Sequence, residues 1–252
     1  MTLGGPGRRW YRRRGDIRRT VTWVIVGYLA AVLVGILFAE LMQRTGNWDQ
    51  GLPWERNFLL RTHVRFPEAI DVLFLVLPWF GTNITLIPIV AVASVWLVKR
   101  KRPDLAVHLI VVQLGTFTLK PVLMTIFDRP RPDMFELRGQ FAWAAFPSGH
   151  AIASIAVLYT AVILLRRERG WRWPLPVATA FVLFGLYSRL YLGVHWPTDL
   201  VGGVLIGIVW LAATYVAFGR SGLPNSVSDA SGSLTTYQGA RDDRPPGHTS
   251  RR

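Results

Sequence analysis

Six stretches of this chain are so long and so apolar that a lipid bilayer is the one medium in which all of them can be helices together. They cover residues 20–42, 81–98, 105–127, 148–165, 174–192 and 199–218. An α-helix needs about 20 such residues to cross a hydrocarbon core of about 30 Å. Within that core every backbone N–H and C=O must be paired inside its own segment, so helices are the form these runs take. Charged residues make up only 17% of the 252, against about a quarter in soluble domains. The expected fold class is therefore all-α: a polytopic membrane helical bundle of six transmembrane helices. The run 66–79 is apolar but short and holds Glu68, Asp71 and Pro78. It predicts a short interfacial helix before the second span.

Charge orients the bundle. A net charge of +14 would point to nucleic acid in a soluble chain. Here the basic residues cluster between spans, so nucleic acid is not an expected partner. Arg8, Arg9, Arg12, Arg13, Arg14, Arg18 and Arg19 precede the first run, Lys99 to Arg102 follow the second, and Arg166, Arg167, Arg169 and Arg172 follow the fourth. Connections rich in Lys and Arg stay cytoplasmic. The reading is a multi-pass protein of the cell membrane with both termini cytoplasmic and with residues 43–80, 128–147 and 193–198 facing outward. Three parts follow: a basic cytoplasmic segment over 1–19, a membrane domain over 20–219, and a tail over 220–252. The tail, rich in Ser, Gly, Pro, Asp and Arg, has the composition of a disordered segment. The first run is too long for a signal peptide and lacks a small-residue cleavage site, so it reads as a retained span. With no cysteine, disulfides and thiolate metal sites are excluded.

Three polar signatures fall at the outward edge of these runs. Pro147-Ser148-Gly149-His150 opens the fourth. A helix N-terminus exposes unpaired N–H groups, and with the Ser148 hydroxyl and the close approach that Gly149 permits, these can wrap a phosphate. His150 would stand beside the anion and protonate a leaving oxygen. A Ser-capped helix with an interfacial histidine is the bland alternative. The second signature is Ser188-Arg189, then His195, then Asp199. Asp199, four residues after His195, can accept the distal ring N–H and leave the other nitrogen to attack phosphorus, as the orienting acid of a triad does. Arg189 would clamp the phosphate, although Asp199 as a plain helix cap fits the spacing too. Third, Arg129 and Arg131 alternate with Pro130 and Pro132, which presents two stiffened guanidinium groups suited to phosphate. Lys120 lies inside an apolar run, where a charge is costly and usually faces a polar interior. Asp128, Asp133 and Glu136 form no recognisable ligand set, so neither a metal nor another cofactor is expected.

These residues resemble the type-2 phosphatidic acid phosphatase family, whose core is shared with vanadium haloperoxidases and some bacterial acid phosphatases. The family pattern is K-x6-R-P, then P-S-G-H, then S-R-x5-H-x3-D. The second part matches at Pro147 to His150 and the third from Ser188 to Asp199. The first departs, because Met124 stands where the lysine before Arg131-Pro132 belongs, and Lys120 lies one helical turn earlier. Either Lys120 substitutes or that contact is missing.

The resemblance implies a metal-independent lipid phosphatase acting in two steps. His195 attacks phosphorus, His150 protonates the departing oxygen, and water hydrolyses the phosphohistidine. Lys120, Arg131, Arg189, the Ser148 hydroxyl and the Gly149 N–H would stabilise the equatorial oxygens. The implied partners are the bilayer and a lipid phosphate within it, such as undecaprenyl diphosphate, phosphatidate or phosphatidylglycerophosphate. A lipid phosphotransferase working through the same phosphoenzyme and a non-catalytic lipid-binding or transport protein are the alternatives.

Overall fold

The computed structural model describes residues 14–62, 68–135 and 144–219, which are helices and their connections, with no strand among them. Arg8, Arg9, Arg12, Arg13, Glu136 and the tail 220–252 lie outside the described residues. The helices are α1 (Arg14–Gln43), α2 (Pro53–Thr62), α3 (Glu68–Val76), α4 (Asn83–Lys99), α5 (Pro103–Phe127), α6 (Gly149–Ala153), α7 (Tyr159–Arg169), α8 (Pro174–Tyr191) and α9 (Pro197–Gly219). A π-turn over Ser154–Leu158 joins α6 and α7 into one continuous rod. Helix α1 starts at Arg14, so Arg18 and Arg19 belong to the helix rather than to a segment before it.

Four of the described helices are long and apolar enough to cross a membrane: Ile17–Gln43, Pro103–Phe127, Gly149–Arg169 and Pro197–Phe218. The expected six are thus met in part. The 17 residues of α4 rise only about 25 Å. Together with Asp71–Gly81, across a bend of 49°, α4 forms a broken fifth candidate. The bend has local causes. Pro78 sits in the 3-10 turn Leu77–Gly81, and Thr82 restarts the helix as N-cap, its hydroxyl accepting from Thr85 N. Helix α8 reaches 18 residues, but its last turn carries Ser188 and Arg189. Within the run 66–79 a short helix, α3, is present and leads through the 3-10 turn into α4.

Side chains sort as a membrane medium demands. On α1, Leu29, Leu33, Leu37 and Leu41 are exposed, whereas Ala31 and Ala39 are wholly buried. Lipid is as apolar as leucine, so close contact between spans comes from small residues at the crossings. Helix α5 runs through the centre, with Val112, Leu119 and Leu123 packed against Ile152, Ile206 and Trp210. Gly115 makes room for the Trp210 ring, whose Nε1 donates to the Val112 carbonyl at 3.0 Å.

One crossing positions the polar signatures. Ser148 N donates to the Asp199 carbonyl at 3.1 Å, which sets the starts of α6 and α9 side by side. Gly203 faces this junction, and a Cβ there would lie 2.7 Å from the Ser148 carbonyl oxygen and 2.7 Å from Ala151 Cβ. Neither neighbour is the end of a flexible chain. Gly203→Val is therefore expected to force the two starts apart, at a cost of about 1–3 kcal/mol. A lowered thermal midpoint in detergent, relative to Gly185→Val at a position with open space around it, checks this.

Candidate active site

The turn between α8 and α9 is built by its own backbone. Leu192 N, Gly193 N and Val194 N donate to the carbonyls of Ser188, Leu190 and Arg189 at 2.9, 3.0 and 3.1 Å. Gly193 takes a φ of +65°, a conformation that costs glycine little. Asp199, in the first turn of α9, accepts Trp196 N at 2.8 Å through Oδ2 and Arg129 Nη1 at 2.6 Å through Oδ1. His195 is held in the turn between these points and is 4% exposed. Its Nδ1 stands 3.5 Å from Asp199 Oδ2. That is ion-pair range and longer than a formed N–H···O bond. The expected pairing is present in position, with Arg129 and Trp196 N as the tighter partners of the carboxylate.

The signatures scattered through the sequence meet here. The stem of Lys120 lies across Gly149, so that a Cβ on Gly149 would stand 3.1 Å from Lys120 Cε and collide with Cδ. His150 is within electrostatic reach of Arg189, His195, Lys120 and Arg131. Arg131 Nη1 donates to the Val194 carbonyl at 2.5 Å, which fastens it to the histidine turn. Four buried polar atoms at this place have no hydrogen-bond partner among the described residues: Ser148 Oγ, His150 Nε2, Arg189 Nε and His195 Nδ1. Buried polar groups are normally paired. Hydroxyl, imidazole and guanidinium groups facing one another, beside a lysine, are complementary to an anion with several oxygens. The same surroundings act on His195. Burial first, then the charges of Arg131, Arg189 and Lys120, hold its protonation well below the ordinary 6.5, so the ring is neutral at neutral pH.

Arg129 requires a correction. Its expected phosphate contact is replaced by contacts within the protein. Nε donates to the Trp48 carbonyl at 2.9 Å, Nη1 to Thr198 Oγ1 at 2.7 Å as well as to Asp199, and Nη2 to Glu55 Oε2 at 3.0 Å. The guanidinium lies 3.9 Å over the Trp48 ring and is wholly buried. Directed at two carboxylates, it has its charge compensated inside the fold. Glu55 was invisible to pattern reading, because its partners lie 74 and 143 residues away and no spacing rule links them. Met124 is buried among apolar residues, 5% exposed, while the Lys120 stem lies against Gly149. Ser188 serves the scaffold, its hydroxyl donating to the Phe74 carbonyl at 2.7 Å.

Beside His150 a small apolar gap opens between Gly81 and α8, lined by Phe181, Val182, Gly185 and Leu186. A separate groove of about 550 Å³ lies among Ile163, Arg167, Leu211 and Tyr215 and includes none of these polar residues.

Among the described residues, helices of membrane length bring two histidines, two arginines and a lysine together near the adjoining starts of α6 and α9, which defines a helical membrane protein with a cationic histidine cluster. The family model described as the PAP2 superfamily matches residues 77–223, and the chain belongs to that superfamily. It is 29% identical over 60% of its length to an undecaprenyl-diphosphatase of Sulfolobus acidocaldarius, covering 68% of that protein. It is 30% identical over 50% of its length to a putative undecaprenyl-diphosphatase of Escherichia coli, covering 63% of it. With the mouse sphingosine-1-phosphate phosphatase 2 the figures are 32% identity over 46% of this chain and 34% of the relative. The fold matches the crystal structure of a transmembrane PAP2-type phosphatidylglycerolphosphate phosphatase from Bacillus subtilis at a TM-score of 0.68, with 20% identity, over 79% of this chain and 98% of that one. The PAP2 phosphatases among these relatives are hydrolases, and membership places this chain in a family of hydrolases.

Lys120→Ala is expected to lower turnover of a phosphate ester at least tenfold, the scale of losing one charge-assisted contact. Adding Met124→Lys in that background is expected to restore nothing, because position 124 faces the core. Recovery in the double variant would show that the lysine position is interchangeable.

Proposed function

We propose that this protein is an integral membrane lipid phosphatase that hydrolyses a lipid phosphomonoester or diphosphate through a phosphohistidine. The observation that carries the proposal is the set of unpartnered buried polar atoms of Ser148, His150 and Arg189, with the His195 ring, Lys120 and Arg131 within electrostatic reach of His150. The neutral His195 ring has the lone pair an attack requires. A ring nitrogen forms the P–N bond as the P–O bond to the lipid breaks, and His150 gives its proton to the departing oxygen. In the second step His150 takes a proton from water, whose oxygen displaces His195 and releases phosphate. Lys120, Arg131, Arg189, Ser148 Oγ and the Gly149 N–H stabilise the charge spreading over the equatorial oxygens. No metal enters this scheme.

The substrate in this proposal is a lipid diphosphate of the undecaprenyl type. The names of the archaeal and Escherichia coli relatives support it, with phosphatidate and phosphatidylglycerophosphate as the other members of the class. The proposed topology has six crossings, with the bent Asp71–Gly81 and Asn83–Lys99 pair and α8 joining the four long helices. The histidines then face outward and both termini lie in the cytoplasm, as the arginine clusters favour.

The test is phosphate release in detergent with excess EDTA from undecaprenyl diphosphate, phosphatidate and phosphatidylglycerophosphate, by wild type and by His195→Ala. Release by the wild type alone is expected. Release by both variants refutes His195 as nucleophile, and phosphate appearing on an added alcohol rather than in water identifies a transferase. The acid side of the profile follows from the lowered protonation of His195. Since the neutral form attacks, kcat/KM is expected to hold through pH 6.5 and to fall only below it; a decline already half complete at 6.5 contradicts the proposed environment.

A further inference from the structure

We infer that Glu55 and Arg129 are positioning residues for the proposed phosphatase reaction, forming a buried carboxylate–guanidinium–carboxylate chain that fixes Asp199 and the His195 turn; this rests on the reading of His195 as nucleophile. All three side chains are wholly buried. Glu55 uses both oxygens. Oε1 accepts Thr198 N at 3.0 Å and Thr198 Oγ1 at 2.6 Å, while Oε2 accepts Leu52 N at 2.9 Å and Arg129 Nη2 at 3.0 Å. A residue in the first turn of α2 thus clamps the position just before Asp199. Arg129 then takes one oxygen of Asp199 and leaves the other to Trp196 N and the His195 side.

The clamp is stiff because its surroundings are. The Arg129 guanidinium lies between Trp48, at 3.9 Å, and Trp196, at 5.5 Å. The Trp196 indole donates to the Pro130 carbonyl at 3.0 Å. Gly51, at φ +76°, lets the chain pass so near that ring that a Cβ would lie 2.6 Å from Cε3. Rotation of the Asp199 carboxylate would break the Arg129 and Trp196 bonds together. A displacement of about 1 Å at a reacting group costs up to about a hundredfold in rate, so the chain acts on kcat through the placement of His195 while touching no substrate itself.

The test compares wild type, Glu55→Gln and Thr198→Val, each full-length. Glu55→Gln preserves shape and removes one charge; Thr198→Val removes the hydroxyl shared by Glu55 and Arg129 without changing charge. Three quantities are read: kcat and KM for the lipid phosphate, the thermal midpoint, and the ring ¹⁵N resonances of His195 in histidine-labelled protein. The expected result for Glu55→Gln is a fall in kcat of about tenfold to a hundredfold, KM within about threefold, and displaced His195 resonances. Thr198→Val should change the same quantities in the same direction by less, and it decides the matter should Glu55→Gln not fold. Unmoved His195 resonances in folded variants overturn the inference, whatever the activity. So does a kcat unchanged in both. Should the wild type release no phosphate from any lipid, the phosphatase reading fails, and the resonances still report whether the chain positions His195.

Discussion

The Arg129 guanidinium is the charge around which the starts of α2 and α9 are organised. Taking such an ion out of water costs several kcal/mol even after relaxation, and the cost is met only by well-placed opposite charge with the remaining donors bonded. The chain supplies both. Glu55 and Asp199 flank the ion, the Trp48 carbonyl and Thr198 hydroxyl take further donors, and two indoles cover its faces. These partners come from the first outer segment, the start of α9 and the turn before it, so one buried ion ties together regions far apart in sequence. Removing either carboxylate leaves buried N–H and O–H donors without their acceptor, although the other carboxylate still balances the guanidinium.

A few residues away the same physics is left incomplete. Arg131, Arg189 and Lys120 lie near a neutral imidazole, and several buried polar atoms find no hydrogen-bond partner among the described residues. The two clusters divide the work: one closes the charge of Arg129 to hold the frame, the other keeps like charges near each other so that an anion is the missing partner. In the proposed reaction a phosphate group supplies that partner. Stability and function are thus separated by residue although both rest on arginine.

Membership of the PAP2 superfamily sits beside one departure from its pattern. The lysine lies one turn earlier than expected, yet its stem crosses Gly149 and reaches the site. A long, flexible side chain tolerates a shift of one turn, about 5.4 Å along the axis, because its charge need only arrive within a few ångströms of a phosphate. A bidentate arginine tolerates far less, and Arg131 and Arg189 keep the family spacing.

The sequence by itself determined the medium, the helical class and the identity of the chemical groups. Apolar run length and basic clusters are local properties, and the histidine–aspartate spacing is one turn of a helix. It left the form of one span open, because a run such as 81–98 reads as apolar without revealing that its helix is short and joined at a bend to the one before. It also assigned Arg129 to phosphate, since two arginines in a proline-stiffened turn look alike as letters. Only the tertiary structure decided between them: which way each guanidinium points depends on Glu55, Trp48 and Thr198, and burial of a charge is settled by partners that meet when the helices pack.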